Sequence, residues 1–576
     1  MQKFEKGPIP VQDIDNLRDL WVGSVKKFAE RPVFLTKHIK GQSYVPVTYK
    51  QFGNDITFFG TALMHRTLLH DKRVAILSET RYEWYVSYLA VLSGEAIVVP
   101  LDKELPVPEL TTMLKQANVN CIIYSRHFAG KAFAVTSTLP AMELLVCMDE
   151  TGESESLLGL SVVSFKILLT EGQSYFDAGD DSLLTHPIDA DEMRILLFTS
   201  GTTAAAKAVM HSHSTVAANL MQMNSFFLVE PEDVFLSVLP LHHTYECTCG
   251  FMCPLHRGAA IAMNEGLRYL VDNLRESKTT IICIVPLMLD VVYKKIWKEI
   301  DKDPKQRCLV QFILKISNGL RKIGIDIRAK LFAKIKQGFG PYLRLIVTGG
   351  AAVDSVVEKG LNDFGYLILQ GYGLTECAPL LAFNAPGKHK EGTAGYPVPG
   401  VDIQIIHPEE NGIGEICGSG PNIMLGYWKQ PEETAAVLEG GYFHTGDLGY
   451  LDKDGFVIIC GRKKNVIILK NGKNIFPEEL EFALGRNPLV AESLVSGELQ
   501  PDGDYLAVAE IFPNMDAVRE NAGGEIPDSA ALHAMFVDVV KEVNSHVAAY
   551  KMIRKFTLRD TEFSKTTSYK IRRGNI

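Results

Sequence analysis

The chain predicts an α/β protein: a large first domain of two stacked α/β subdomains with a small β-rich subdomain, followed by a small α+β domain. Three observations carry this. Strand-like and helix-like segments alternate in two long runs. The texture changes from Gly395 to Ile459, where short strands are broken by Gly, Pro and Asp turns. Beyond Phe476 helix and strand patterns return in the last hundred or so residues.

The first run opens with a strand at Arg73 to Leu77, a helix at Tyr82 to Leu92 and a strand at Ala96 to Leu101. A helical pattern at Pro108 to Gln116 and a strand at Cys121 to Tyr124 follow, and this β-α-β rhythm predicts a parallel sheet with helices on both faces. In the second run, strands at Val234 to Leu239, Ala259 to Met263, Ile281 to Val285 and Leu343 to Val347 are separated by helical patterns, so each run is expected to form its own sheet. Leu309 to Gln337 holds seven Lys/Arg and one acid with apolar residues at helical intervals. It reads as the solvated face of two surface helices, with a membrane-surface helix as the alternative. In the last part, a helix begins near Phe476-Pro477-Glu478-Glu479, where proline suits a first turn. Strands at Leu489 to Ser496 and Tyr505 to Phe512 and a helix near Ser529 to Ala548 complete it.

With 576 residues the chain is too long for one ordinary core, and its 46% hydrophobic and 22% charged residues are those of a soluble protein. A formal charge of −9 argues against nucleic-acid binding. The N-terminus has no apolar core of a secretory signal, and the longest apolar stretch, Thr279 to Tyr293, is broken by Pro286 and Asp290. Ten cysteines, mostly in apolar segments, fit reduced, buried thiols and a cytoplasmic protein. Cys247, Cys249 and Cys253 cluster without a second Cys/His pair at zinc spacing.

Several stretches carry chemistry. The apolar run Ile195 to Phe198 empties into Thr199-Ser200-Gly201-Thr202-Thr203, with Lys207 four residues on. Small hydroxyl and backbone N–H donors at a strand end can converge on phosphate oxygens, and a lysine adds a mobile charge. Gly371-Tyr372-Gly373-Leu374-Thr375-Glu376 joins close backbone approach, a flat ring for a base, a hydroxyl for phosphate and an acid for a hard cation such as Mg²⁺. His242-His243 and Gly349-Gly350-Ala351 follow strand ends, where ligands of open α/β sheets bind. Asp447, in an expected tight turn, can hold a vicinal diol with both carboxylate oxygens. Gly461 to Asn474 has five basic residues and no acid, and Tyr550 to Ile576 has eight Lys/Arg against two acids.

Taken in order, these motifs resemble the adenylate-forming (AMP-binding) superfamily, most of all bacterial long-chain fatty acid–CoA ligases. The carriers are TSGTT with a following lysine, the histidine pair, Gly-Gly-Ala, Tyr-Gly-x-Thr-Glu, the GEICGSGPNIMLGYW segment at Gly414 to Trp428, YFHTGDL at Tyr442 to Leu448, Gly461-Arg462 and TTSYKIRR at Thr566 to Arg573. Three positions depart from the family pattern: Ala204, Ala208 and Tyr569 stand where it has glycine. The resemblance implies an N-terminal domain over 1–463 and a mobile C-terminal lid over 464–576, with Lys464 as hinge. It implies ATP contacts from Thr199, Ser200, Gly201, Thr202, Thr203, Lys207, Gly349, Gly350, Ala351, Gly371, Tyr372, Gly373, Thr375, Asp447, Arg462 and Lys570. Glu376 would take Mg²⁺, Gly472, Lys473 and Asn474 would meet coenzyme A, and Lys570, Thr199, Glu376 and His243 would be catalytic.

The implied reaction is ATP-dependent activation of a medium- or long-chain fatty acid to an acyl-adenylate, then transfer to coenzyme A with release of AMP and pyrophosphate. The implied partners are fatty acid, ATP and coenzyme A, in a cytoplasmic monomer or homodimer with peripheral contact to the inner membrane surface. The acyl pocket is expected in the apolar segments Leu239 to Leu255 and Ile281 to Leu289. Two alternatives stay open: an acid-adenylating enzyme that hands on to a carrier protein, and a non-catalytic nucleotide- or acyl-binding relative. An amino-acid substrate would need an acid in Leu241-His242-His243-Thr244-Tyr245, and none is present.

Overall fold

The computed structural model describes residues 7–37, 41–150, 156–157, 159–199, 207–566 and 571–573. The chain divides into two compact units, Met1–Asp402 with Gly418–Phe443 and Ile403–Cys417 with His444–Ile576. This packing division runs through the β-rich segment and leaves Lys464 inside the second unit.

The first unit holds two large mixed sheets. One runs, edge to edge, Gly426–Tyr427, Lys207–Ser212, Met193–Thr199, Ile97–Pro100, Arg73–Leu77, Cys121–Tyr124, Leu144–Cys147, Leu160–Ser164 and Ser156–Leu157. Its centre is parallel, as the β-α-β rhythm requires. The other runs Tyr396–Pro397, Leu380–Phe383, Ile368–Gly373, Leu345–Thr348, Ile281–Ile284, Val234–Ser237, Ala260–Met263, Pro32–Thr36 and Val45–Thr48. It too has a parallel centre with antiparallel edges.

The expectation of one sheet per run holds at the centres and fails at the edges. Pro32–Thr36 precedes the first run yet pairs in parallel with Ala260–Met263 of the second. Of the short strands after Gly395, Asp402–Ile406, Gly414–Ser419 and Tyr442–Leu451 form a sheet with Val457–Arg462, whereas Tyr396–Pro397 and Gly426–Tyr427 extend the two large sheets. Strands this short have no period to reveal which sheet receives them.

Helices Tyr82–Leu92 and His213–Asn224 lie between the two sheets. Every residue of His213–Asn224 is buried, which is why it shows no polar stripe. Its Asn219 Nδ2 donates to the Leu380 carbonyl of one sheet at 2.9 Å, while the helix itself continues from Lys207–Ser212 of the other. Tyr85 likewise reaches from its helix to donate to Ser237 Oγ at 3.0 Å. Phe34, Tyr85 and Phe251 pack as one aromatic group around that contact.

In the second unit, Val490–Leu499, Tyr505–Pro513 and Ile553–Leu558 form a sheet covered by helices Pro477–Gly485 and Ser529–Ser545. Leu480, Leu484, Ile511 and Phe536 fill its core. Among the described residues of the whole chain, no helix is long and apolar enough to cross a membrane.

Candidate active site

Strands Met193–Thr199 and Lys207–Ser212 pair antiparallel, with Thr199 opposite Lys207, and Thr199 Oγ1 donates to the Lys207 carbonyl at 3.4 Å. The Ser/Thr/Gly stretch therefore lies in sequence between two antiparallel paired strands. Ser200, Gly201, Thr202, Thr203 and Ala204 lie outside the described residues. Ala208 is fully buried in the second strand opposite Phe198. An extended strand asks nothing of glycine, so alanine there costs no backbone strain. Helix His213–Asn224 follows directly, with Ser212 and Thr215 forming a reciprocal cap.

Two glycine-containing loops meet at the ends of neighbouring parallel strands. Gly349 follows Leu345–Thr348, and a Cβ on it would stand 3.0 Å from the Gly371 carbonyl oxygen. Gly350 has φ +82°, and a Cβ there would meet nothing within 4 Å, which leaves Gly350-Ala351 facing open space. Gly371 and the buried Tyr372 belong to strand Ile368–Gly373. At Gly373 a Cβ would fall 1.8 Å from the Pro379 carbonyl oxygen, so no other residue fits.

His211, on the hairpin's second strand, ties these loops to it. Burial pushes its pKa down to about 4, so the ring is neutral. Its Nε2–H donates to the Thr375 carbonyl at 2.7 Å, with Thr215 Oγ1 3.1 Å from Nδ1.

Glu376 is oriented by a residue that the sequence reading named only within a longer glycine-rich segment. The Tyr427 hydroxyl donates to Glu376 Oε1 at 2.9 Å, and the Met424 N–H donates to the Glu376 carbonyl at 2.8 Å. Lys207 Nζ stands 4.6 Å from the centre of the Tyr427 ring and 2.8 Å from Glu433 Oε2. Lys207 and Glu376 thus share one aromatic neighbour. Tyr427 holds that position because Gly426–Tyr427 pairs with Val209 and Met210. An aromatic residue after glycine in GEICGSGPNIMLGYW is the signal that could have marked it.

The histidine pair follows strand Val234–Ser237, with ring centres 4.2 Å apart. Burial pushes His242 well below its ordinary pKa, helped by His243 and Lys103. His242 lines a pocket with Tyr88, Leu197, Val216, Cys247 and Met252. The cavity itself measures about 10 Å³, so its walls stand almost closed on one another. From the segment Leu239 to Leu255, Leu241, Cys247 and Met252 are among its lining residues. Ile281 to Leu289 does not line it: Ile281–Ile284 is a strand buried within its own sheet, and helix Pro286–Asp301 begins just after it.

Glu246, one residue beyond the segment read for an amine-binding acid, is 1% exposed. It accepts from Ser237 Oγ at 2.6 Å, and burial pushes its pKa up to about 8. A Cβ on Gly250 would lie 2.8 Å from its carboxyl group. A carboxyl group sealed in this way is not placed to receive a substrate amine.

In the second unit, Asp447 sits in strand Tyr442–Leu451, where a turn was expected; Gly446, at φ +71°, supplies the local kink. Arg462 pairs opposite it, and Arg462 Nε stands 2.7 Å from Asp447 Oδ1. Lys464 lies in the short turn after that strand, its pKa lowered by burial and by Arg462 and Arg573. Lys473 stacks over Tyr550, and Asn474 Nδ2 donates to Glu409 at 2.6 Å, with Gly472 between strands at φ +77°. Tyr569 and Lys570 lie outside the described residues; Lys565 and Ile571, on either side, form an antiparallel bridge. Glu415, Cys417 and His444 draw together in a metal-like cluster. Lys463 Nζ, 2.9 Å from Glu415, supplies the positive charge there.

The family model described as AMP-binding enzyme matches residues 23–428. Long-chain-fatty-acid–CoA ligase 1 of Cavia porcellus is 30% identical over 81% of this chain and 71% of its own length. The chloroplastic long-chain-fatty-acid–[acyl-carrier-protein] ligase AEE15 of Arabidopsis thaliana is 25% identical over 83% and 74%. Among solved structures, the anthranilate CoA ligase AuaEII in complex with anthranoyl-AMP superposes with a TM-score of 0.76 at 21% identity, covering 97% of this chain and 95% of that one.

Proposed function

The chain belongs to the AMP-binding enzyme family, and from that premise we propose that it activates a medium- or long-chain fatty acid as an acyl-adenylate and passes it to coenzyme A. The observation that carries the reading is the Lys207–Tyr427–Glu376 array, a cation and an acid held on one ring beside the hairpin. Those are the groups that ATP phosphates and their cation require.

A carboxylate needs no general base to attack the α-phosphorus, so catalysis is alignment and charge neutralisation. The Thr199–Thr203 loop and Lys207 would hold the phosphates. Gly349, Gly350 and Ala351 with Gly371, Tyr372, Gly373 and Thr375 would frame the nucleotide, and the open space above Gly350 fits that use. Asp447 and Arg462 would take the ribose, His243 would orient the acid, and Lys570 would bridge its carboxylate to the α-phosphate. The donor chemistry of Glu376 fits Mg²⁺: Tyr427 fixes one hard oxygen, and among the described residues no donor takes the other. When bound, Mg²⁺ neutralises charge on the departing pyrophosphate. Residues 464–576 would turn about Lys464 against 1–463 to admit coenzyme A at Gly472, Lys473 and Asn474.

The likeness to AEE15, named for an acyl-carrier-protein acceptor, supports a second reading in which the acyl group goes to a carrier protein. The non-catalytic reading loses part of its motive, since Ala208 fills a strand position that tolerates it. The test is turnover by purified protein with MgATP, coenzyme A and a series of acids. AMP and pyrophosphate should appear only with acid present. Release of ADP, or no acid-dependent turnover from butyrate to palmitate, rejects the proposal.

A further inference from the structure

Three side chains that the proposed reaction does not use converge in the small sheet. Glu415 and Cys417 stand two apart on strand Gly414–Ser419, where alternation turns both to the same face. The neighbouring strand Tyr442–Leu451 presents His444 to them. His444 Nδ1 lies 3.4 Å from Cys417 Sγ and 3.4 Å from Glu415 Oε2. Among the described residues, this is the one group of three such side chains whose ligand atoms all lie within 4.8 Å of one another.

Hydrogen bonding accounts for only part of this arrangement. A ring nitrogen offers either one N–H or one lone pair, so Nδ1 can serve the thiol or the carboxylate but not both. If it accepts from Cys417, its lone pair meets the carboxylate; if it donates to Glu415, the thiol proton loses this acceptor. Lys463 Nζ, 2.9 Å from Glu415 Oε2, brings a positive charge, yet its side chain is 62% exposed and is free to turn out to solvent. Glu415 stays in place without it, because its other oxygen accepts from the Gly446 N–H at 3.1 Å.

We propose that Glu415, Cys417 and His444 form a Zn²⁺ site, with Lys463 as the ammonium that the ion displaces. A thiolate, an imidazole and a carboxylate together suit Zn²⁺, whereas Mg²⁺ prefers oxygen donors alone. Bonds of about 2.0–2.3 Å at tetrahedral angles set neighbouring ligand atoms about 3.3–3.6 Å apart, and two of the three contacts already stand at 3.4 Å. As the Zn–S bond forms, the thiol proton passes to solvent, and the fourth position is left to water. The ion ties two adjacent strands together just ahead of Asp447. The site stands or falls independently of which acid the enzyme activates.

The test is a Co²⁺ titration of the full chain, stripped of metal by a chelator and followed by absorbance. Cobalt bound through a thiolate gives a sulfur-to-metal charge-transfer band in the near ultraviolet; cobalt on oxygen donors alone, as at Glu376, does not. The band should saturate at one ion per chain and vanish when Zn²⁺ is added. Cys417→Ser should abolish it. His444→Ala should weaken cobalt binding at least about tenfold, since even a residue that merely orients a metal ligand is worth that much. Lys463→Ala should tighten binding several-fold by removing the competing charge. Because Lys463 is exposed, this variant decides the matter even where a change at the buried Cys417 disturbs the fold. The proposal is overturned if the parent shows no thiolate band, if the band survives in Cys417→Ser, or if Lys463→Ala binds cobalt no more tightly than the parent.

Discussion

The Tyr427 hydroxyl donates to Glu376 Oε1 at 2.9 Å, while Lys207 Nζ lies 4.6 Å from the centre of the same ring. One side chain thereby touches both Lys207 and Glu376. Their positions in sequence are far apart, and Tyr427 is fixed by backbone pairing to the lysine's own strand.

Tyr427→Phe keeps the ring and the strand pairing and removes only the hydroxyl. A hydrogen bond to a charged group contributes about 1.5–3 kcal/mol, so AMP formation should fall about ten- to a hundredfold. The concentration of Mg²⁺ needed for half-maximal rate should rise, since Glu376 loses its fixed orientation. Unchanged kinetics in a folded variant would show that this contact does not serve the reaction.

His211 links the hairpin to the Thr375 loop as a neutral donor, with a pKa pushed from 6.5 down to about 4. The unfolded chain binds the extra proton first, so this group's stability is complete above about pH 6.5 and is lost as pH falls towards 4. The full loss is bounded at about 3 kcal/mol by the size of that shift. His211→Phe should remove this acid sensitivity while costing about 1–3 kcal/mol at neutral pH, because the Thr375 carbonyl loses its donor. Denaturant titrations across pH would check both, and a variant as acid-sensitive as the parent would contradict the assignment.

Much of the scaffold was legible because its central strands are unbroken apolar runs that alternate with helical segments. Arg73–Leu77, Tyr82–Leu92 and Cys121–Tyr124 stand where the pattern puts them. The hairpin strand Lys207–Ser212 was not legible: KAVMHS has neither clean alternation nor an unbroken apolar run, and its partner residues are set by tertiary pairing. Tyr427 escaped for the same reason, since a two-residue strand carries no period. Glu246 escaped because nothing local distinguishes a buried acid from a surface one. Burial there comes from Ser237 and Gly250, and from the packing of both sheets around them.

Glu246 titrates in the opposite sense to His211. Burial raises its pKa from 4.5 to about 8, so the folded state holds a proton that the unfolded chain releases. Its contribution is complete below about pH 4.5 and is lost as pH rises through about 8. Glu246→Gln keeps the shape and abolishes the titration. Between those limits the parent should lose up to about 1.4 kcal/mol per pH unit relative to the variant. Parallel slopes for the two proteins would mean that the carboxyl group is ionised in the fold, and the buried-proton account would be wrong.

The pocket beside His242 gives the proposed acyl chain a wall that can be moved. Val216 lines it from the helix buried between the two sheets, facing Leu241, Cys247 and Met252 across a small space. In a pocket of this kind each buried methylene adds up to about 0.8 kcal/mol, nearly a fourfold gain in kcat/KM per carbon until the space ends. The parent should therefore climb steeply from butyrate to at least decanoate, measured below micelle-forming concentrations. Val216→Phe fills part of the space and should stop the climb several carbons earlier, leaving the shortest acids nearly unaffected because the carboxylate end is untouched. Overpacking can also cost about 1–3 kcal/mol of stability, so thermal unfolding must accompany the kinetics. If a folded Val216→Phe enzyme discriminated chain length as the parent does, the acyl chain would have to run elsewhere. If the parent itself turned over acetate best, the fatty-acid reading would fail with it.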